Sequence, residues 1–213
     1  MPKVTQQMFE WMGTFGRAYT DRNVLSLEEM ERSYRDRYGV TRTELNRRFL
    51  DPIDRSACIL EVGTSIGNQL QCLQNMGFSN LYGIELQPYA VELSKMRTQY
   101  INIIQGSAFD IPFEDGYFDL VFTSGLLCHI FPHDLRECLD EIYRCTKEYI
   151  WGFEAYADAT THVLYRGHAE LMWRGDYAQW YLRAFSDLEL VKEDRVRYLD
   201  SEDVDSMFLL RKK

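Results

Sequence analysis

The segment Ile59-Leu60-Glu61-Val62-Gly63-Thr64-Ser65-Ile66-Gly67-Asn68 constrains the fold of this chain more than any other. An apolar run enters a glycine-bent turn and leaves as a polar helix start, the pattern of a buried strand feeding a helix N-terminus. Glycine lets backbone approach a ligand where a Cβ would collide, and the turn aims free helix N-terminal amides at that ligand. The segment therefore reads as a cofactor cradle. The register from Gly63 is G-T-S-I-G-N, with Ser65 and Asn68 where a dinucleotide fingerprint needs its second and third glycines. A pyrophosphate site is disfavoured.

Downstream spacing narrows the choice. Leu81-Tyr82-Gly83-Ile84-Glu85-Leu86 is a short apolar run ending in a carboxylate, about 20 residues past the turn, where an acidic group accepts two ribose hydroxyls. Gln105-Gly106-Ser107-Ala108-Phe109-Asp110-Ile111-Pro112-Phe113 follows, and Glu114 to Phe122 supplies a turn and a fourth strand. In this order the four stretches resemble the class I S-adenosylmethionine-dependent methyltransferases: motif I at Glu61, Gly63 and Gly67, the ribose carboxylate at Glu85, the G-D-A-x-x-L-P-F loop with Ser107 in the Asp position, and the F-D-x-V strand. The resemblance implies S-adenosyl-L-methionine as cofactor. It implies contacts from Glu61, Gly63, Thr64, Ser65, Gly67, Asn68, Glu85, Leu86, Ser107, Ala108, Phe109 and Ser124.

Composition bounds the rest. At 213 residues the chain fits one α/β domain with modest additions. No apolar run approaches the ~18 residues that cross a bilayer, and Met1-Pro2-Lys3-Val4-Thr5 lacks a signal-peptide core, so a soluble, cytoplasmic protein without membrane contact is expected. Five scattered cysteines without C-x-x-C spacing suggest reduced thiols and no zinc site. A formal net charge of −9 disfavours large nucleic acids as partners.

Strand and helix patterns alternate from Asp51 to Glu154, with strands near Ile59, Leu81, Tyr100, Phe118 and Tyr149. Alternation of this kind makes a parallel, doubly wound sheet with its ligand crevice at the strand carboxyl ends. The expectation is an α/β, Rossmann-like, mostly parallel seven-stranded sheet in a single methyltransferase domain, 1–213. Within it, 1–50 is a helical cap, 51–154 the cofactor-binding core, 155–184 an acceptor-side insert after the fifth strand, and 185–213 the closing strands. The insert is rich in Tyr, Trp and His and lacks clean periodicity.

Phe9, Trp11, Gly13, Phe15, Gly16, Tyr19, Arg22 and Asn23 resemble a signature of pseudaminic acid biosynthesis-associated methylases. His129-Ile130-Phe131-Pro132 and Tyr165-Arg166-Gly167-His168 extend the resemblance over nearly the whole chain. Tyr19 and Arg22, three residues apart on one helical face, could close over the cofactor and hold its methionine carboxylate. Trp11, Phe15 and Tyr19, spaced by four, read equally well as a core stripe. Tyr165, Arg166 and Trp173 are candidate acceptor-binding residues, although an aromatic insert also reads as a packed lid.

After the fourth strand the chain reads Phe122-Thr123-Ser124-Gly125-Leu126-Leu127-Cys128-His129, with neither the N/D-P-P-Y of planar-nitrogen methylation nor a Pro-Cys nucleophile. An oxygen acceptor gains support. His129 is a candidate general base titrating near pH 6 to 7, facing His168 across the acceptor pocket, with a satisfied structural histidine as the plainer alternative. Asp115, Asp119, Asp134 and Glu154 show no metal-ligand spacing. The reading is methyl transfer to a small polar acceptor, by O-methylation of a sugar-related or anionic metabolite. The alternatives are a non-catalytic protein that binds the adenosyl ligand and a methyltransferase acting on protein or tRNA. The oligomeric state is left open.

Overall fold

A computed structural model of the chain describes residues 3–213. Four helices come first: α1 (Gln6–Met12), α2 (Thr14–Arg22), α3 (Leu27–Tyr38) and α4 (Arg42–Leu50). Ser26 with Glu29 and Thr41 with Glu44 form reciprocal capping boxes that fix the starts of α3 and α4. The single helix expected across the aromatic stripe is broken at Gly13, whose N–H turns back to the Phe9 and Glu10 carbonyls. Past the break α2 lies so close to α1 that a Cβ on Gly16 would stand 1.6 Å from the Trp11 carbonyl oxygen. Only glycine permits that approach.

The alternating region follows as β1 (Cys58–Val62), α5 (Asn68–Asn75), β2 (Asn80–Glu85), α6 (Pro88–Arg97), β3 (Ile101–Gln105), β4 (Phe118–Ser124), α7 (Leu135–Cys145) and β5 (Thr146–Ala155). A two-stranded ribbon, β6 (Thr161–His162) and β7 (Trp173–Arg174), then leads into α8 (Tyr177–Ala184), β8 (Leu188–Arg197) and β9 (Val204–Lys212). The seven-stranded sheet has the order β3-β2-β1-β4-β5-β9-β8. Its first five strands are parallel, and β9 runs antiparallel between β5 and β8. This is the doubly wound, mostly parallel sheet expected. The order of strand addition reverses between the parallel neighbours β1 and β4, which opens a crevice at their carboxyl ends.

Alternating side chains divide the core. Leu60, Val121 and Ile150 face α7 and α8 with Ile142 and Tyr181, whereas Ile59, Leu120 and Trp151 face α4 and α5 with Phe49 and Leu73. Two local expectations change. Part of the segment read as an aperiodic insert is the helix α8, capped by the Asp176 side chain, which buries Tyr177, Ala178 and Tyr181 against the sheet. The tail segments from Leu188 and Val196 belong to one strand, with a register shift between Leu190 and Lys192. No helix among the described residues is long and apolar enough to cross a membrane.

Candidate active site

The turn after β1 makes the floor of the site. Gly63 and Thr64 both donate their amides to the Ile84 carbonyl, at 2.9 and 3.0 Å, which pulls the turn toward β2. Gly63 and Gly67 have φ of 76° and 82°, and Ser65, at the motif position usually held by glycine, takes φ 51°. Its amide donates to Glu85 Oε2 at 2.8 Å, and the Gln87 amide donates to Oε1 at 2.8 Å. Burial pushes the Glu85 carboxyl above its ordinary range, and these amide bonds oppose the rise.

Two cavities meet over this turn. The first, about 110 Å³, is bordered by Glu85, Leu86, Ser107, Ala108 and Phe109, and by Ile84, Leu126 and Ile130. Ser107 Oγ accepts the Phe109 amide at 3.2 Å, so a serine in the motif's Asp position still bends the loop. The second, about 320 Å³, is bordered by Glu61, Thr64 and Asn68 and by Tyr34, Tyr38, Gln69, Tyr198 and Asp205. Tyr19, Gly63, Ser65, Ser124, Gly125 and His129 border both.

The lining fits an adenosyl sulfonium. Apolar groups from Ile84, Phe109 and Ile130 flank the first cavity as a planar base requires, Glu85 offers acceptor lone pairs for ribose hydroxyls, and the buried Ser65 Oγ and Trp11 Nε1 have no hydrogen-bond partner. The cap completes the enclosure. Gln87 Nε2 donates to the carbonyls of Trp11, Met12 and Gly13, at 3.0, 2.8 and 3.2 Å, and Met8, Trp11, Gly16, Tyr19 and Thr20 border the first cavity. Gln7 bridges cap and insert, its Nε2 donating to the Glu170 carbonyl and its Oε1 accepting from the Phe131 amide.

Several expected contacts fall elsewhere. Arg22 is exposed and borders neither cavity, although Tyr19 and the α2 C-cap Asn23 on either side of it line the second. Gly67 borders neither cavity and instead caps α5 in the left-handed region. Of the insert residues expected at the acceptor, Tyr165 alone borders the second cavity, where Ala155 and Met172 join it. Arg166 and His168 are exposed, the latter with its ring 4.8 Å from Phe15, and Trp173 is buried against Phe131 at 4.8 Å. The ribbon turns these side chains outward or into packing, so His168 does not face His129 across the pocket.

His129 does sit at the junction. Its Nδ1–H donates to the Leu171 carbonyl at 2.6 Å, and its ring lies 4.7 Å from Trp11 and 5.2 Å from Tyr165. Burial lowers its pKa to about 4, not the 6 to 7 expected for a free base. Burial also pushes the Glu61 carboxyl up to about 8, opposed by the Thr64 hydroxyl donating at 2.6 Å and by Arg42. Glu154 rises to about 7 for the same reason, while Oε1 and Oε2 accept the Leu126 and Cys128 amides and shape the loop after β4.

Tyr34, Tyr38, Gln69, Tyr198 and Asp205 form walls that no local motif marked. Arg42, on α4, is fully buried beside the Tyr34, Trp151 and Phe153 rings. Its Nη1 donates to Tyr34 Oη at 2.8 Å and Ser124 Oγ at 3.2 Å.

Residues 60–149 match the family model described as a methyltransferase domain. Sterol methyltransferase-like 3 of Botryococcus braunii is 27% identical over 95 residues, 42% of this chain and 24% of that protein. An uncharacterized methyltransferase of Synechocystis sp. is 32% identical over 69 residues, 32% of each chain. The match thus spans a third or less of these curated relatives. A putative methyltransferase of Haloferax volcanii, solved with the Trm112 methyltransferase activator, superposes with a TM-score of 0.67 at 16% identity, covering 92% of this chain and 94% of that one. At that identity the likeness is one of fold. Sheet order, motif geometry and the match over residues 60–149 agree: the chain has the fold of the class I methyltransferases, a methyltransferase-domain match over its cofactor-binding core, and S-adenosyl-L-methionine as its cofactor.

Proposed function

We propose that the protein methylates an oxygen of a small polar acceptor, sugar-related or anionic, held in the second cavity. The observation that carries this reading is the junction of the two cavities at Gly63, Ser65, Ser124, Gly125 and His129. S-Adenosyl-L-methionine supplies an electrophilic methyl group on a sulfonium, and such a displacement needs alignment and exclusion of water more than acid or base. Glu85, Leu86 and the Ser107 to Phe109 loop would hold the adenosyl part. Tyr19, Thr64, Ser65 and Asn68 would meet the remainder near the junction. The cap and Tyr165 close the site from above. A partly open cavity of about 320 Å³ lined by Tyr34, Asn68, Gln69 and Asp205 has the size and polar lining to hold a hydroxyl-rich metabolite. The resemblance of residues 9–23 and 165–168 to sugar-acid pathway methylases supports the same class.

The test is transfer of labelled methyl groups into a cell extract split into small-molecule and macromolecular fractions. Label is expected in the former. Label confined to protein or RNA overturns the small-acceptor reading, and binding without transfer to either fraction leaves the non-catalytic alternative.

A further inference from the structure

We propose that the atom methylated is a carboxylate oxygen, so that the product is a methyl ester. This rests on the small-acceptor reading above and specifies the acceptor group. Tyr34 Oη accepts from Arg42 Nη1 at 2.8 Å and from Gln69 Nε2 at 3.4 Å, and Ser124 Oγ accepts from the same Nη1 at 3.2 Å. A guanidinium has no acceptor, so neither hydroxyl spends its own proton on Arg42. No acceptor among the described residues takes either proton. Both groups border the second cavity, Ser124 at the junction. Two O–H donors are thus turned away from a buried cation and toward the space the acceptor fills. They call for an oxygen rich in lone pairs.

The charge balance points the same way. Arg42 is fully buried, and its hydrogen bonds go to neutral partners: Asn46 Oδ1 at 2.8 Å, Tyr34 and Ser124. Its Nη2 has no partner. A buried cation without a paired anion is costly, and a ligand anion offsets that cost. The other titratable groups around the cavity do not cancel it. Burial raises the Glu61 carboxyl to about 8, so that Glu61 is largely neutral at pH 7, and keeps His129 neutral there too, while the Asp205 carboxyl is engaged by the Tyr38 and Tyr198 hydroxyls on the far wall. Arg37, at the same wall, stands against Asp205 and leaves Arg42 as the cation without an anionic partner. The cofactor's amino-acid end, with one ammonium and one carboxylate, leaves this excess unchanged, and its sulfonium adds to it.

The chemistry requires no group that the site lacks. A lone pair on the carboxylate oxygen forms the new C–O bond as the methyl C–S bond breaks, and the electron pair of that bond stays on sulfur. The sulfonium becomes a neutral thioether and no proton moves. A histidine that ionises only near pH 4 is a weak base for an alcohol, and a carboxylate needs none.

The test uses the full-length protein with tritiated-methyl S-adenosylmethionine and a small-molecule extract, followed by mild alkali. Methyl esters release volatile methanol and ethers do not. Release of most of the incorporated label is expected. Label that survives alkali overturns the carboxylate assignment and leaves the small-acceptor reading standing, whereas no label in the small-molecule fraction overturns both. Tyr34→Phe, which keeps the ring and deletes the donor, provides the second arm. Ester formation is expected to fall by about tenfold or more while S-adenosylhomocysteine affinity stays within about twofold of wild type. An equal loss in S-adenosylhomocysteine affinity would mean that the donors hold the cofactor's own carboxylate, and would overturn the assignment.

Discussion

Glu85 has two tasks that one substitution separates poorly and one measurement separates well. Its oxygens accept the Ser65 and Gln87 amides, and each keeps a lone pair for a ribose hydroxyl. Glu85→Ala removes a charged acceptor from the ligand and a tie from the turn, so S-adenosylhomocysteine affinity is expected to fall by about 1.5 to 3 kcal/mol. Calorimetric titration checks it, and unchanged affinity in a folded variant would take Glu85 out of the site. His129 yields a prediction of the opposite kind. With its pKa lowered to about 4, the ring stays neutral from pH 5.5 to 8, and turnover should show no step near pH 6.5. A step there that vanishes in His129→Ala would restore the general base. Gly63, Ser65, Glu85 and Phe109 could be found from sequence because each answers a local backbone demand, a positive φ, a strand end or a tight turn, that leaves its mark within a few residues. Arg42, Tyr34 and Asp205 carried no such mark. Tyr34 on α3 and Asp205 on β9 meet at one cavity only in the folded chain, with Arg42 of α4 set behind Tyr34. Arg166, His168 and Trp173 show the converse: residue types suited to ligands, turned elsewhere by the ribbon.

At the scale of elements, the cap is held by few bonds and much ring contact. Gln87 Nε2 meets three successive carbonyls at the α1–α2 break, while Gln87 Oε1 caps α6 through the Tyr89 amide at 3.2 Å. Gln87→Ala strands those carbonyls, with an expected cost of about 1 to 3 kcal/mol concentrated at the break. Hydrogen exchange should quicken in residues 6–22 and weaken cofactor binding, with β1, β2 and β4 still protected. Uniform loss of protection would mean that cap and sheet unfold as one unit. Element types in the alternating region were legible from period and turn chemistry, since parallel strands buried on both faces give short apolar runs. The helix α8 was not legible. Its eight residues, Tyr-Ala-Gln-Trp-Tyr-Leu-Arg-Ala, form only two turns in an aromatic context, and packing of Tyr177 and Tyr181 on the sheet fixes it where the pattern does not.

The whole molecule carries its site as a set of buried ionisable groups, and their sign sets how stability responds to pH. Glu61 has a folded pKa of about 8, above the ordinary carboxylate value of 4.5. The folded state therefore holds this proton more tightly than the unfolded state, and the stability it contributes is complete below pH 4.5 and lost as pH rises through 8. Glu154, at about 7, acts in the same direction over a narrower window. His129 acts oppositely, because its pKa of about 4 lies below the ordinary 6.5, so its contribution is lost only as pH falls from 6.5 toward 4. Above about pH 7.5 the histidine is neutral in both states, and between pH 6.5 and 8 the two glutamates dominate this set. Glu61→Gln keeps an oxygen to accept the Thr64 hydroxyl and removes the titration. Relative to wild type, the variant should gain about 2 kcal/mol between pH 6.5 and 8, seen as several degrees in melting temperature. Parallel melting curves across that range would show that Glu61 is already ionised at pH 6.5 and paired with Arg42. The cavity would then have lost the cationic excess that favours an anionic acceptor.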